Sequence, residues 1–323
     1  MARDRRVRRA RRLPSEAVPD VRRALHTFLR NWERRNVQLL SYAGLAIALV
    51  FVVAVPFQAF DKPAKPHQLL TPRATLTGPI VLPTPNKDDV LARAILRANK
   101  TVGPIRHGGK TRKLVALTFD DGPGPFTGQV LAVLRRDNVA ATFFQVGKQL
   151  DAYPNPAKAE LQLPRVAIGD HTYTHTNMRT LRKGLQRDEI ISSAATMAAH
   201  GEPAPRLFRP PYGAFNTDTE SLMDQRGMAM ILWSIDSQDY TRPGVDRIVQ
   251  NVVSAIEPGS IVLMHDGGGD RSQTALAVPK IVHRLRKLGY KFVTVPELLL
   301  RDPPQKADQD VAQPPPGAGK GAG

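Results

Sequence analysis

The chain has no cysteine. That excludes disulfides and thiolate metal sites, so any bound metal must be held by His, Asp or Glu. Carboxylates are also in short supply. The 29 Asp and Glu face 46 Lys and Arg, leaving a formal charge of +17 at pH 7. Internal repeats are absent. Long apolar runs are absent too, with one exception near the N-terminus. What is there is 323 residues of 41% hydrophobic composition, enough to bury a sizeable core in one large domain or two ordinary ones.

The charge is uneven. Residues 1–36 carry twelve Arg against Asp4, Glu16, Asp20 and Glu33, a net +8. The one long apolar run follows, "LLSYAGLAIALVFVVAVPF" at 39–57. It approaches the ~20 residues that cross a bilayer as a helix. The run has no polar face, which argues against a buried core helix. A cleaved signal peptide has a shorter apolar core and a small-residue cleavage site. Here the passable site, Val52 and Ala54, lies inside the run. A single uncleaved transmembrane signal-anchor over 37–60 is therefore expected. The excess of Arg before the span keeps the N-terminus in the cytoplasm and sends the rest of the chain outside the cell membrane. The basic tail at 1–36 then reads as a topology signal touching anionic lipid. A nucleic-acid-binding arm is the alternative reading of the same Arg, and no nucleic acid partner is expected.

Residues 61–109 are read as a Pro- and Thr-rich stalk containing one short helix, "NKDDVLARAILRANK", with Asn86 as its cap. The tail at 302–323, "DPPQKADQDVAQPPPGAGKGAG", has too little apolar content for a core and is expected to be disordered. The block at 110–301 alternates apolar runs (114–119, 141–146, 165–169, 228–235, 260–264, 290–295) with helical periods (127–136, 183–200, 217–226, 244–256, 274–288). Such alternation implies parallel strands with helices packed outside. The continuous runs "VALTF", "MILWSI" and "SIVLM" fit strands covered on both faces. The predicted fold is α/β, a distorted (β/α) barrel of about seven strands; an open doubly wound sheet is the competitor.

In β/α barrels the chemistry sits just past the C-terminal ends of strands. Polar groups here follow that rule at five places: Asp120 and Asp121, His171 and His175, Arg209, Asp236 and Asp239, His265 and Asp266. "HTYTH" puts His171 and His175 four residues apart in a loop. Such a pair is also found in plain surface loops. With Asp121 as a third ligand, two nitrogens and one oxygen would leave coordination positions open, the layout of a catalytic metal site. In "TFDDGP" two adjacent carboxylates resist joint ionisation unless a cation or an Arg absorbs charge. A metal on one and Arg209 near the other would do so, leaving the second acid to accept a proton from the attacking water. In "FRPPYG" Pro210 and Pro211 lack N–H groups, so Tyr212 offers the first free backbone donor for a developing oxyanion. A rigid turn with a surface Arg is the plainer reading. In "IVLMHD", His265 has Asp239 of "DSQDY" as a possible orienting carboxylate. A strand-end His satisfied by backbone is the plainer reading there.

Taken in order, "TFDDGP", "HTYTH", "RPPYG", "DSQDY" and "IVLMHD" resemble the five motifs of the polysaccharide deacetylases, the NodB homology domain of carbohydrate esterase family 4. The resemblance covers about residues 110–300. It implies removal of acetyl groups from N-acetylglucosamine-type polymers, peptidoglycan or a chitin-like glycan, with a divalent metal, most often Zn2+ and in some members Co2+ or Mn2+. By the same match Asp120 is the expected general base and Asp121, His171 and His175 the metal ligands. Arg209 holds the base, Tyr212 gives the backbone donor, His265 is the general acid and Asp239 orients it. Tyr240, Leu263 and Pro211 fall on the substrate side, the first two as acetyl-pocket walls. Three departures stand out. Tyr240 replaces the common Trp, Val166 and Ala167 replace a His-Glu pair, and Asp170 replaces an Asn. The alternatives are an O-acetyl esterase on xylan or another glycan, and a catalytically inactive glycan-binding module.

Overall fold

The computed structural model describes residues 87–309. Eight strands form one parallel sheet: β1 (Leu114–Gly122), β2 (Ala141–Gln145), β3 (Val166–Asp170), β4 (Leu207–Phe208), β5 (Ala229–Met230), β6 (Ile235–Asp236), β7 (Ser260–His265) and β8 (Lys291–Phe292). Their order is β5-β4-β3-β2-β1-β7-β6, with β8 paired to the start of β1.

The two edge strands, β5 and β6, are consecutive in the chain. Seven strands laid flat would put the edges about 29 Å apart at about 4.8 Å per strand. The stretch from Met230 to Ile235 spans at most about 18 Å. The sheet therefore has to curl, and the expected (β/α) barrel results, unzipped between β5 and β6. Ile105 lies in that seam: its N–H donates to the Met230 carbonyl at 2.8 Å, and its carbonyl accepts from Leu232 at 2.7 Å. The apolar run 228–235, expected as one strand, is split for a specific reason. The carbonyls of Ile231 and Leu232 accept from the Arg209 guanidinium at 3.1 and 3.0 Å instead of from a neighbouring strand.

Strand alternation sorts the core into two layers. Val115, Leu117, Phe119, Phe143, Val262 and Met264 face outward into one apolar cluster. There they meet α2 (Thr127–Arg136), α7 (Val245–Ser254) and α8 (Ser272–Lys287). Leu114, Ala116, Phe144 and Ile261 face inward into a second cluster. Two-sided burial explains why Leu114 to Asp120 are all buried. The inner cluster is completed by Ile95 and Ala98 of α1 (Lys87–Val102) and by Leu298 and Leu299 of α9 (Val295–Arg301). The helix expected within a stalk is thus part of the domain.

Other elements also depart from expectation. Two short helices, α3 (Gly147–Ala152) and α4 (Pro154–Leu161), occupy a stretch where Pro154 and Pro156 hide any helical period. The other two helices, α5 (Lys183–Ala199) and α6 (Thr217–Arg226), follow the expected periods. The expected strand at 290–295 is only β8, because Thr294 and Glu297 form a capping box that starts α9. The fold also runs past residue 301. Asp302 accepts from the N–H groups of Thr111 (3.1 Å) and Arg112 (2.9 Å) and from the Thr111 hydroxyl (2.6 Å). Gln309 accepts from the Arg106 N–H at 2.8 Å and donates to the His107 carbonyl at 3.0 Å.

The expected basic tail, anchor and Pro-rich stalk up to residue 86, and the tail beyond 309, lie outside the described residues. Among the described residues no helix is long and apolar enough to cross a membrane.

Asp302 is 4% exposed, so removing its carboxylate breaks three partly buried hydrogen bonds from Thr111 and Arg112. Asp302→Ala is expected to lower unfolding stability by about 3 kcal/mol, read as a shifted urea midpoint. A variant within experimental error of the parent would show that the C-terminal clasp contributes nothing.

Candidate active site

All five predicted polar groups meet at the rim where the strands end. β1 sets the frame: Thr118 pairs in register with Leu263, and Asp120 with His265. Alternation puts Thr118 and Asp120 on the inward face of β1, and Leu263 and His265 on the inward face of β7. Leu263 therefore lies one layer beneath His265, as its proposed place in an acyl pocket needs. Asp170 and His171 continue β3, and Arg209 follows β4.

Arg209 is fully buried beneath this rim. Its guanidinium stacks over Phe144, 4.1 Å from the ring centre, with Trp233 5.7 Å away. It donates to Asp120 Oδ1 at 2.6 Å and to the Thr118 hydroxyl at 2.8 Å. With the two carbonyls in the seam, four of its five N–H groups have named acceptors. Asp120, 3% exposed, is thus held by one oxygen. Its other oxygen, Oδ2, faces the His171 Nε2 at 3.7 Å.

Asp121 approaches the same imidazole nitrogen from a turn in the backbone. It has φ 69°, in the left-handed region that side chains rarely adopt. Both carboxylates therefore lie near His171 Nε2. Asp121 Oδ1 lies 3.5 Å from His171 Nε2 and 3.0 Å from His175 Nε2. Ligand atoms of the three residues all fall within 4.8 Å of one another. His175 and Tyr212 are also left-handed, both at φ 61°. Strained backbone concentrated on three site residues is a mark of a functional constellation.

The donor set fits a divalent cation. Asp121 Oδ1 is buried with no hydrogen-bond partner, so neither imidazole aims an N–H at it despite the short separations. Three lone pairs pointing at one place repel unless a positive charge sits among them. The His171 ring is locked in the tautomer a ligand needs: its Nδ1–H donates to the Arg209 carbonyl at 2.6 Å, leaving Nε2 free.

On the far side of Asp120 stands the second pair. His265 Nδ1 lies 2.7 Å from Asp239 Oδ1, and its backbone N–H donates to Asp239 Oδ2 at 2.8 Å. The Thr274 hydroxyl, which the sequence reading missed, also donates to Oδ2 at 2.7 Å. Asp239 is thus immobile. Burial works against charge on His265, but Asp239 overcomes it and raises the imidazole to about 9. Tyr240 sets its ring edge against His265, centroids 5.5 Å apart, and donates its hydroxyl to Asp236 at 3.1 Å. Pro211 is buried in the turn that presents Tyr212. The Tyr212 N–H donates to no acceptor among the described residues, while Gly213 and Ala214 donate to Pro210 and Pro211.

Comparison with known proteins now decides the family. The polysaccharide deacetylase profile matches residues 107–231. A peptidoglycan-N-acetylglucosamine deacetylase of Bacillus cereus is 40% identical over 190 residues, 58% of this chain and 88% of the relative. The chain belongs to the polysaccharide deacetylase family.

A chitooligosaccharide deacetylase of a Bradyrhizobium species is 39% identical over 201 residues, 57% of this chain and 90% of that one. The fold is also that of a family pseudoenzyme from Bacillus anthracis, at a TM-score of 0.58 and 32% identity, covering 62% of this chain and 70% of that one. Family membership alone therefore leaves activity to be argued from the site. Of the departures from the common deacetylase pattern, Asp170 is fully buried. Burial pushes its carboxyl up to about 6, while Oδ1 accepts from the Thr172 N–H at 2.8 Å. The sequence reading also missed how the turn after Asp121 is held. Gly124 donates to the Thr127 hydroxyl at 2.7 Å, and that hydroxyl donates to buried Asp266.

The His265–Asp239 pair gives a direct solution test. In the metal-free protein the His265 ring is expected to titrate near 9 by NMR. Because the pKa is raised from 6.5, the pair's stabilisation is full below about 6.5 and is lost as pH rises from there through about 9. Asp239→Asn is expected to lower that midpoint by at least about one unit. An unchanged midpoint would mean that Asp239 does not hold the imidazolium.

Proposed function

We propose that the domain hydrolyses the N-acetyl groups of N-acetylglucosamine residues in a cell-wall glycan, with peptidoglycan first and a chitin-like oligosaccharide second. One observation carries the reading. A three-residue cation cradle, a carboxylate held by a buried Arg, and an imidazole held by a buried Asp stand together where β1, β3 and β7 end, with Asp120 and His265 as register partners. Amide hydrolysis needs those three functions together: an activated water, a base to take its proton, and an acid for the leaving amine.

Asp121, His171 and His175 would hold the divalent cation, Zn2+ being the best match to a two-His, one-carboxylate set. When bound it supplies Lewis-acid polarisation of the acetyl oxygen and acidifies a nearby water. The remaining work belongs to the chain. Asp120 takes the water proton at Oδ2, since Arg209 occupies Oδ1. The Tyr212 N–H donates to the oxyanion as the acetyl carbon becomes tetrahedral; losing one such donor typically costs about 3–4 kcal/mol of barrier. Asp239 favours the imidazolium of His265, so His265 can hand its Nε2 proton to the departing sugar amine. Leu263, Pro211 and Tyr240 bound the space for the methyl group.

The same groups cleave acetate esters, so an O-acetyl glycan esterase is the second activity compatible with the cradle. The location proposed for this work is outside the cell membrane, tethered by the 37–60 anchor with residues 1–36 in the cytoplasm. The apolar run and the Arg bias across it support that topology.

Acetate release by the full chain from peptidoglycan, chitooligosaccharides and acetylated xylan tests the reading. Release from the N-acetylglucosamine substrates, abolished by chelation and restored by added Zn2+, is expected. Release from xylan alone would move the assignment to the esterase. Glycan binding with no release at any metal loading would make the domain a binding module.

A further inference from the structure

The two histidines of the cradle are held in different ways. His171 has its Nδ1 fixed by the Arg209 carbonyl. The His175 ring has no comparable hydrogen bond among the described residues, and its ring contacts are with Tyr212 and His171, centroids 4.7 and 5.0 Å apart. Its aim therefore depends on the backbone that carries it. That backbone is strained, with Thr172 at φ 70° and His175 at φ 61°. Something must over-determine the loop for two non-glycine residues to stay there.

The loop is gripped from two sides. From below, Gly147 and Lys148 at the start of α3 donate to the carbonyls of Thr172 and Tyr173 at 2.9 and 3.0 Å. Gly147 permits this approach, since a Cβ there would overlap the Tyr173 ring. From the side, one carboxylate on α5 takes the opposite groups of the same peptides. Glu189 Oε2 accepts from the N–H of Thr174 at 2.8 Å and of Tyr173 at 3.1 Å, and Oε1 accepts from the Thr174 hydroxyl at 2.7 Å. Three donors within two residues converge on a single partly buried side chain. The Thr172 hydroxyl then receives the His175 N–H at 3.0 Å, closing the turn.

We propose that Glu189 is the positioning residue of the cation site: it sets the left-handed loop that aims His175 Nε2 at Asp121. It touches neither the cation nor the glycan. The proposal rests on the reading that Asp121, His171 and His175 hold a divalent ion. Partners of metal ligands typically change affinity by about 10- to 100-fold when removed, and Glu189 acts at one further remove, through the main chain.

Zn2+ affinity of the metal-free full-length protein, measured against a chromophoric chelator, tests this. Glu189→Ala is expected to weaken binding by about 10-fold, with turnover largely recovered at saturating Zn2+. Glu189→Gln, whose amide oxygen can still accept the two N–H groups, is expected to restore most of the affinity. Thr174→Val, which removes only the hydroxyl contact, serves if the alanine variant does not fold, and is expected to weaken binding by about 3-fold. Wild-type affinity in Glu189→Ala, or in Thr174→Val where that variant must serve, overturns the proposal. So does a loss of turnover that Zn2+ does not recover. His171→Ala is the control: if it too binds Zn2+ like the parent, the cation reading itself fails.

Discussion

The structure depends on one buried ion pair, Arg209 with Asp120. Neither group reaches solvent to any useful extent, and a buried charge without its partner costs about 3–5 kcal/mol. The protein meets that constraint by engaging four of the five guanidinium N–H groups and stacking its plane on Phe144. Two carbonyls are drawn from the seam of the barrel to do so, which is why the sheet opens between β5 and β6 there. The pair also fixes which oxygen of Asp120 is available for chemistry. Fold and site thus share a single electrostatic requirement.

The same pair lets two acids stand side by side. Like charges on adjacent residues would drive one of them to protonate. Here Arg209 compensates Asp120, and the left-handed turn at Asp121 sets its carboxylate against two imidazoles. Asp239 then holds a positive imidazole on the opposite flank. Positive and negative groups alternate around the rim, so each carboxylate keeps the charge state its task needs. A pseudoenzyme with this fold shows that the barrel by itself does not guarantee activity.

Much of the site was legible in the sequence because its logic is local. Asp120, His171, Arg209, Asp239 and His265 each close a strand or follow one by a few residues, and parallel strands must end on the same rim. The alternation of apolar runs and helical periods likewise fixed the fold class. What escaped reading was set by tertiary demand. Nothing in "MAMILWSI" says that its carbonyls serve an Arg rather than a strand, so β5 and β6 read as one element. The positive φ of Asp121, His175 and Tyr212 leaves no trace where glycine is not used. Thr274 and Glu189 lie on helices remote in sequence from the groups they hold. The Thr294–Glu297 capping box, by contrast, was there to be read as the start of α9.

The central claim is that adjacent carboxylates divide the work, Asp121 holding the cation and Asp120 taking the proton. The most direct measurement pairs Asp120→Asn with Asp121→Asn and records bound Zn2+ and acetate release for each. The account predicts that Asp120→Asn keeps one equivalent of Zn2+ while losing most turnover, and that Asp121→Asn loses the metal. Full turnover in Asp120→Asn, or equal loss of metal from both, would contradict it.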